Sequence, residues 1–266
     1  GEVYPPGSTF KLITAAAALE SGHQPSTKVS SPTTYQLPNS THTVGNSTNC
    51  GGTEITLEHA LAVSCNTSFA KLGVELGRDK MQDMAQRFGF NSTPGIDLPA
   101  NESRYPKDID ASQLALSSIG QYEVAATPLQ MLMVTSAIAN DGALMQPHLV
   151  KEVTGSDLKV IQTIWPSEVN RPISQGTAQQ LQQMMQTVVT DGTGTSAGIR
   201  GLTIGGKTGT AQSDPKRPPY AWFVGYAKEP HVAVAVFVQS TSMERDDISG
   251  GRVAAPVFRA IIEAVR

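Results

Sequence analysis

The sequence predicts a fold of the α/β class, of the α+β kind, in which an antiparallel sheet is flanked by helices. Three observations predict it. Apolar residues at helical spacing recur through most of the chain up to Val189. Three strand-like runs then follow one another across short loops, at 202–211, 221–227 and 232–238, and such short connections make neighbouring strands antiparallel. A last amphipathic pattern, Val257, Phe258, Ile261, Ile262 and Val265, brings a helix back onto that sheet.

The elements follow in order. Pro5, Pro6 and Gly7 hold a non-helical turn, and the alanine-rich run from Leu12 to Leu19 then starts a helix that Gly22 ends. The stretch from Pro25 to Thr53 reads as loop. Thr56 caps a short helix through Ala62, Ser64-Cys65-Asn66 breaks the pattern, and further helices are expected at 71–76 and 79–88. A loop spans 93–106. Thr127, Pro128 and Gln130 open a helix that is apolar nearly all round and therefore buried, and Gly142 stops it. A strand is expected near 149–153. The next helix carries Ala178, Leu181, Met184, Met185, Val188 and Val189 as core, with Thr177 and Gln180 as its capping box. Of the three late strands, Val232–Val238 has no polar alternation, which predicts cover on both faces.

A chain of 266 residues buries about 70–75% of its unfolded surface, enough for one large domain or two close lobes. Charged residues make up 16%, the net charge is −3 and the pI is near 6.0, so there is no basic field to grip nucleic acid. No apolar run reaches the ~18–20 residues needed to cross a bilayer, and no signal peptide is present. The functional-looking turn at the very start reads as part of a longer chain whose N-terminus lies upstream. Five scattered histidines offer no metal-ligand spacing, and no cofactor is indicated. Cys50 and Cys65 allow one pairing, which would close a loop of roughly 15 residues worth ~3 kcal/mol, or they remain two reduced thiols.

Ser8 and Lys11 share one face of a helix's first turn, where free N–H groups and the dipole favour negative charge, a sound way to activate a serine. Spacing alone decides nothing, because Ser-x-x-Lys recurs at Ser68/Lys71, Ser156/Lys159 and Ser213/Lys216. Ser64-x-Asn66 lies between helices; Ser47-Thr48-Asn49 fits the same pattern but no helix follows it. Lys207-Thr208-Gly209-Thr210 lies on a predicted strand, with Lys207 and Gly209 on one face and the threonines on the other. A glycine within a strand marks the close approach of a ligand or another backbone. An edge strand of this kind accepts an extended peptide, with hydroxyls at hand for a carboxylate.

In this order the three motifs resemble those of the serine penicillin-binding enzymes. Together with Gly95-Ile96-Asp97-Leu98-Pro99, Ile119-Gly120-Gln121, Thr127-Pro128-Leu129-Gln130, Ala221-Trp222-Phe223-Val224-Gly225 and Ala254-Ala255-Pro256, they make nearly all of 1–266 similar to a penicillin-binding protein transpeptidase domain. The resemblance is strongest to the monofunctional class B group of actinobacterial type. It implies the penicillin-binding transpeptidase/β-lactamase-like fold, with an all-helical lobe at roughly 20–140 and with the usual N-terminal sheet strands absent from this chain.

It also implies a D,D-transpeptidase. Ser8 would be the nucleophile toward a D-Ala-D-Ala stem peptide and toward β-lactams, Lys11 the general base, and Ser64 the proton relay to the leaving amine. Asn66 would hold the donor's backbone; Lys207, Thr208, Gly209 and Thr210 its carboxylate side. The N–H groups of Ser8 and Thr210 would form the oxyanion hole. Family members often carry a cysteine within the middle motif, which implies a Cys50–Cys65 bridge. The implied setting is the extracytoplasmic face of a bacterial membrane, with an anchor outside this chain and a membrane glycosyltransferase as partner in an elongation or division complex. The rival readings are a D,D-carboxypeptidase or β-lactamase-type hydrolase and a non-catalytic β-lactam sensor. Neither the deacylating glutamate stretch of class A β-lactamases nor the Tyr-Gly-Asn of class D is present.

Overall fold

The computed structural model describes residues 2–212 and 217–266, so the Ser213/Lys216 spacing lies outside the described residues. One 3-10 turn, Gly7–Phe10, leads into α1 (Lys11–Glu20). Every residue from Phe10 to Leu19 is buried, and the small alanine side chains let neighbouring elements close in around the helix. Gly22, at a φ of 96°, ends it.

The stretch expected as loop carries short strands instead. β1 (Lys28–Ser30) and β2 (Thr34–Gln36) pair antiparallel with β4 (Glu54–Thr56) and β3 (Thr43–Gly45), respectively. Three residues per strand leave no alternation to read. In α2 (Leu57–Ala62) the Thr56 hydroxyl accepts from the His59 N–H, as predicted. α3 (Asn66–Leu76) begins five residues before the expected Lys71: burial of Thr67, Ser68 and Phe69 outweighs their poor helix propensity. α4 (Arg78–Arg87) and α6 (Pro128–Ala139) lie where expected. Between them α5 (Ala111–Ser117), which was not anticipated, opens on an Asp110/Gln113 capping box.

Two hairpins fill the next excursion, β5 (Leu144–Met145) with β8 (Glu168–Asn170) and, within it, β6 (Glu152–Thr154) with β7 (Val160–Thr163). The strand expected at 149–153 is displaced because the N–H groups of Leu149 and Val150 donate to Asp97 Oδ2, at 2.6 and 3.2 Å, and not to a ladder. α7 (Gln175–Thr190) is capped by Ser174, whose hydroxyl accepts from the Thr177 N–H. Ser174 offers the same chemistry three residues earlier, and Thr177 itself is buried in the first turn, so the Thr177/Gln180 box does not form.

β9 (Ile204–Ala211), β10 (Tyr220–Ala227) and β11 (Val232–Val238) make an antiparallel sheet in the order β11–β10–β9. Trp222, Val224 and Tyr226 join the core around α1, α6 and α7. Ala221 and Phe223, on the opposite face, pack with Phe258 and Ile262 of α8 (Ala255–Val265). The strand covered on both faces is β10, buried throughout. β11, expected to be covered, is half-buried except at Val236, because it is an outer strand; among the described residues no strand pairs with its far edge. An apolar run reports on the two faces of a strand but not on its edges.

Candidate active site

Four attachments hold the turn that carries Ser8. Tyr4 exchanges backbone hydrogen bonds with Ala126 at 2.9 and 2.8 Å, and Trp222 Nε1 donates to Pro5 O at 3.0 Å. The Gly7 N–H donates to Gly120 O at 3.1 Å, and a side chain at Gly120, whose φ is 73°, would collide with Gly7 O. On the other side β9 presses close: a Cβ at Gly209 would lie 2.9 Å from Thr9 Cγ2 and 3.0 Å from Pro6 O. The close approach expected of a glycine within a strand is thus to the turn that carries Ser8.

Two buried lysines converge on one hydroxyl. Lys11 Nζ donates to Ser64 O at 2.8 Å, to Ser64 Oγ at 3.1 Å and to Asn66 Oδ1 at 2.6 Å. Lys207 Nζ donates to the same Ser64 Oγ at 3.0 Å and to Thr208 O at 2.9 Å. Both lysines are fully buried, and among the described residues neither has a carboxylate as a hydrogen-bond partner. Burial, and secondarily the charge of Lys207, holds the Lys11 amine well below its ordinary value; burial brings Lys207 down to about 7. Each amine is thereby available in its neutral form. Ser64 reaches this position with its backbone in the left-handed region, at a φ of 58°, a conformation that costs a non-glycine residue ~1–3 kcal/mol.

That conformation is enforced from both sides. The Cys65 N–H donates to Ala60 O at 2.8 Å, and Cys65 is joined to Cys50, with Cα atoms 5.7 Å apart. Asn46, which the sequence marks only as the head of an Asn-x-Ser/Thr sequon, accepts from the Thr67 N–H at 3.0 Å and donates to Thr67 Oγ1 at 3.0 Å, pinning the start of α3. Asn66 Nδ2 donates to Gly45 O at 3.1 Å. The short strands of the supposed loop therefore brace the middle motif.

A cavity of about 590 Å³ opens above these groups, lined by Ser8, Ser64, Asn66, Thr208 and Thr210. Among the described residues the Ser8 hydroxyl makes no hydrogen bond, so it stands free in the cavity wall. Thr208 and Thr210 face the cavity, while Lys207 turns inward to Ser64 and Gly209 toward Pro6 and Thr9, the division that strand alternation predicts. Ser47 and Thr48 also line the cavity, with Thr48 Oγ1 donating to Val63 O at 2.7 Å, but Asn49 caps a turn and stays outside. Sequence reasoning missed Thr193, on the loop after α7, and the Ser249–Arg252 wall, on the helical turn before α8, which reach the cavity without a motif to mark them. The competing spacings fall elsewhere. Ser68 is buried in α3 beside the disulfide, Lys71 pairs with Glu75 on the surface, and Ser156 and Lys159 sit on an exposed hairpin. Among the described residues no cluster of His, Cys, Asp and Glu is placed to hold a metal ion, and no helix is long and apolar enough to cross a membrane.

A helical region lies beside an antiparallel sheet, and at their junction meet two buried amines, a row of threonines and a serine hydroxyl that makes no hydrogen bond among the described residues. The penicillin-binding protein transpeptidase domain matches residues 1–263, and the chain belongs to that family. It is 44% identical to the peptidoglycan D,D-transpeptidase PbpA of Mycolicibacterium smegmatis, over 99% of this chain and 55% of that protein, and 40% identical to PbpA of Mycobacterium tuberculosis, again over 99% and 55%. The penicillin G acyl-enzyme structure of penicillin-binding protein A from M. tuberculosis superimposes with a TM-score of 0.92 at 38% identity, covering 100% of this chain and 61% of that one. The chain thus spans little more than half the length of the relatives it matches.

Proposed function

We propose that this chain is the catalytic domain of a peptidoglycan D,D-transpeptidase, acylated at Ser8 by D-Ala-D-Ala donors and by β-lactams. The observation that carries the reading is the convergence of Lys11 and Lys207 on Ser64 Oγ beneath a free Ser8 hydroxyl. The curated relatives named as transpeptidases and the acyl-enzyme structures support it.

Ser8 Oγ attacks the penultimate D-Ala carbonyl and its proton passes to the neutral Lys11 amine. The N–H groups of Ser8 and Thr210 receive the developing oxyanion. The peptide C–N bond then breaks, and Ser64, replenished by Lys11, protonates the departing D-Ala nitrogen. A second stem peptide's amine attacks the ester, loses a proton to the same relay, and leaves Ser8 protonated as before. Asn66 holds the donor backbone along the β9 edge, while Thr208 and Thr210, with the charge of Lys207 behind them, take the terminal carboxylate. The Cys50–Cys65 link keeps Ser64 and Asn66 in register. In this reading residues 1–266 form one domain with a lobe at roughly 20–140, which is not all-helical as expected, because the short strands β1–β4 lie within it. It works outside the bacterial cell membrane, anchored by a segment outside this chain and beside a glycosyltransferase.

Intact-mass measurement after penicillin tests the assignment. One adduct is expected on the wild type and none on Ser8→Ala; an adduct that survives the substitution sinks it. Transfer of a D-Ala-D-Ala donor to an acceptor amine separates a transpeptidase from a hydrolase or a sensor.

A further inference from the structure

The chemistry above leaves unused a short polar contact at the cavity wall. Thr193, on the loop after α7, places its Oγ1 2.6 Å from Thr208 Oγ1. We propose that Thr193 is a positioning residue: it fixes the Thr208 hydroxyl so that its single proton points at the donor's carboxylate. The inference rests on the acyl-transfer reading and goes beyond it.

The direction of the bond follows from counting protons. The Thr208 hydroxyl has one hydrogen, and a carboxylate accepts only; to serve a carboxylate Thr208 must donate into the cavity. Its contact with Thr193 must then run the other way, with Thr193 donating. Among the described residues the Thr193 hydroxyl has no other hydrogen-bond partner, so nothing competes for its proton. A chain from Thr193 to Thr208 to the carboxylate aligns both dipoles with the charge, and each bond polarises the next. Without Thr193 no side chain among the described residues would fix the rotation of the Thr208 hydroxyl.

Thr193 is itself held in place. Its N–H donates to Ala62 O at 3.0 Å, at the end of α2 and two residues before Ser64; the next N–H, that of Gly194, donates to Val188 O at 2.9 Å. On the far side of the subsite the Thr210 hydroxyl receives the Gly250 N–H at 3.3 Å, which leaves the Thr210 proton for the cavity as well. Both threonines are therefore oriented from outside the motif that contains them, and Thr193 is the side chain that does so for Thr208.

The test compares two acyl donors, a D-Ala-D-Ala-type thioester with a free terminal carboxylate and the same compound as its carboxamide, on wild type, Thr193→Val and Thr193→Ser. Valine keeps the shape and loses the hydroxyl. The acylation rate with the acid is expected to fall about three- to tenfold in Thr193→Val, the range of one lost hydrogen bond, while the carboxamide, whose oxygen accepts only an uncharged hydrogen bond from Thr208, loses less. Thr193→Ser restores the acid rate. Equal losses with both donors would mean a general structural role and overturn the proposal, as would no loss at all. Failure of the wild type to acylate with either donor would bring down the transpeptidase reading first, and this inference with it.

Discussion

Around Ser64 and in the hairpins between α6 and α7 the chain uses polarity in opposite ways. At the first place two lysines are fully buried, with hydroxyls and carbonyls for company. At the second Leu158, Ile161 and Trp165 are 84%, 72% and 77% exposed. Burying amines without a counter-charge costs folding energy, and such a site persists for what it does. The hairpins rest on their ladders and on the Asp97 carboxylate, so their exposed side chains add little to stability. Substitutions should then separate the regions cleanly: activity lost without stability in one, stability shifted without activity in the other.

The largest effect belongs to Lys11→Met, which removes the amine and keeps most of its volume. Acylation by a fluorescent penicillin should slow by at least about 100-fold, the usual contribution of a general base. The unfolding midpoint should hold or rise, because no desolvated amine remains. A retained rate would dismiss Lys11 as the base. A collapsed midpoint would show that its hydrogen bonds to Ser64 and Asn66 are structural first.

A smaller effect is expected from pH. The base must be neutral, and burial holds both amines below the ordinary lysine value of 10.5, with Lys207 at about 7. The acylation rate should therefore climb from acid and level off well short of 10.5. The matching contribution to stability has the same sign. The folded state binds these protons more weakly than the unfolded chain, so the contribution is complete above 10.5 and, for Lys207, declines as pH falls toward about 7. A rate still rising at the ordinary lysine value would mean that the amines are solvated in solution.

The two regions also differed in how far the sequence revealed them. Lys207 and Gly209 were assigned to one face and the threonines to the other from alternation alone, because β9 is eight residues long and periodicity has room to show. Thr56 and Thr127 announced their helices because capping is a local interaction. The strands near 28–56 are three residues each and carry no period, yet β3 supplies the Gly45 carbonyl, and the residue after it, Asn46, helps to brace the middle motif. Thr193 reaches the cavity only through tertiary packing, 15 positions before the threonine it touches, and no local pattern encodes that. The start of α3 and the cap of α7 were misplaced for the same reason, since burial outweighed propensity at both.

The smallest effect is expected at Leu158. It closes the β6–β7 turn, donating its N–H to Gly155 O at 3.0 Å, with its backbone at a φ of 63°. In that region a leucine Cβ crowds the backbone, at a cost of ~1–2 kcal/mol. A side chain that is 84% exposed recovers almost none of this through burial. Asparagine tolerates the left-handed region better and keeps the turn's hydrogen bond. Leu158→Asn should raise unfolding stability by ~0.5 kcal/mol, whereas Leu158→Val, branched at Cβ where crowding is worst, should lower it. Penicillin acylation should be identical in all three proteins. Denaturant unfolding that ranks valine above leucine would show that an apolar contact holds this hairpin, and that its exposed face is not the passive counterpart of the buried amines.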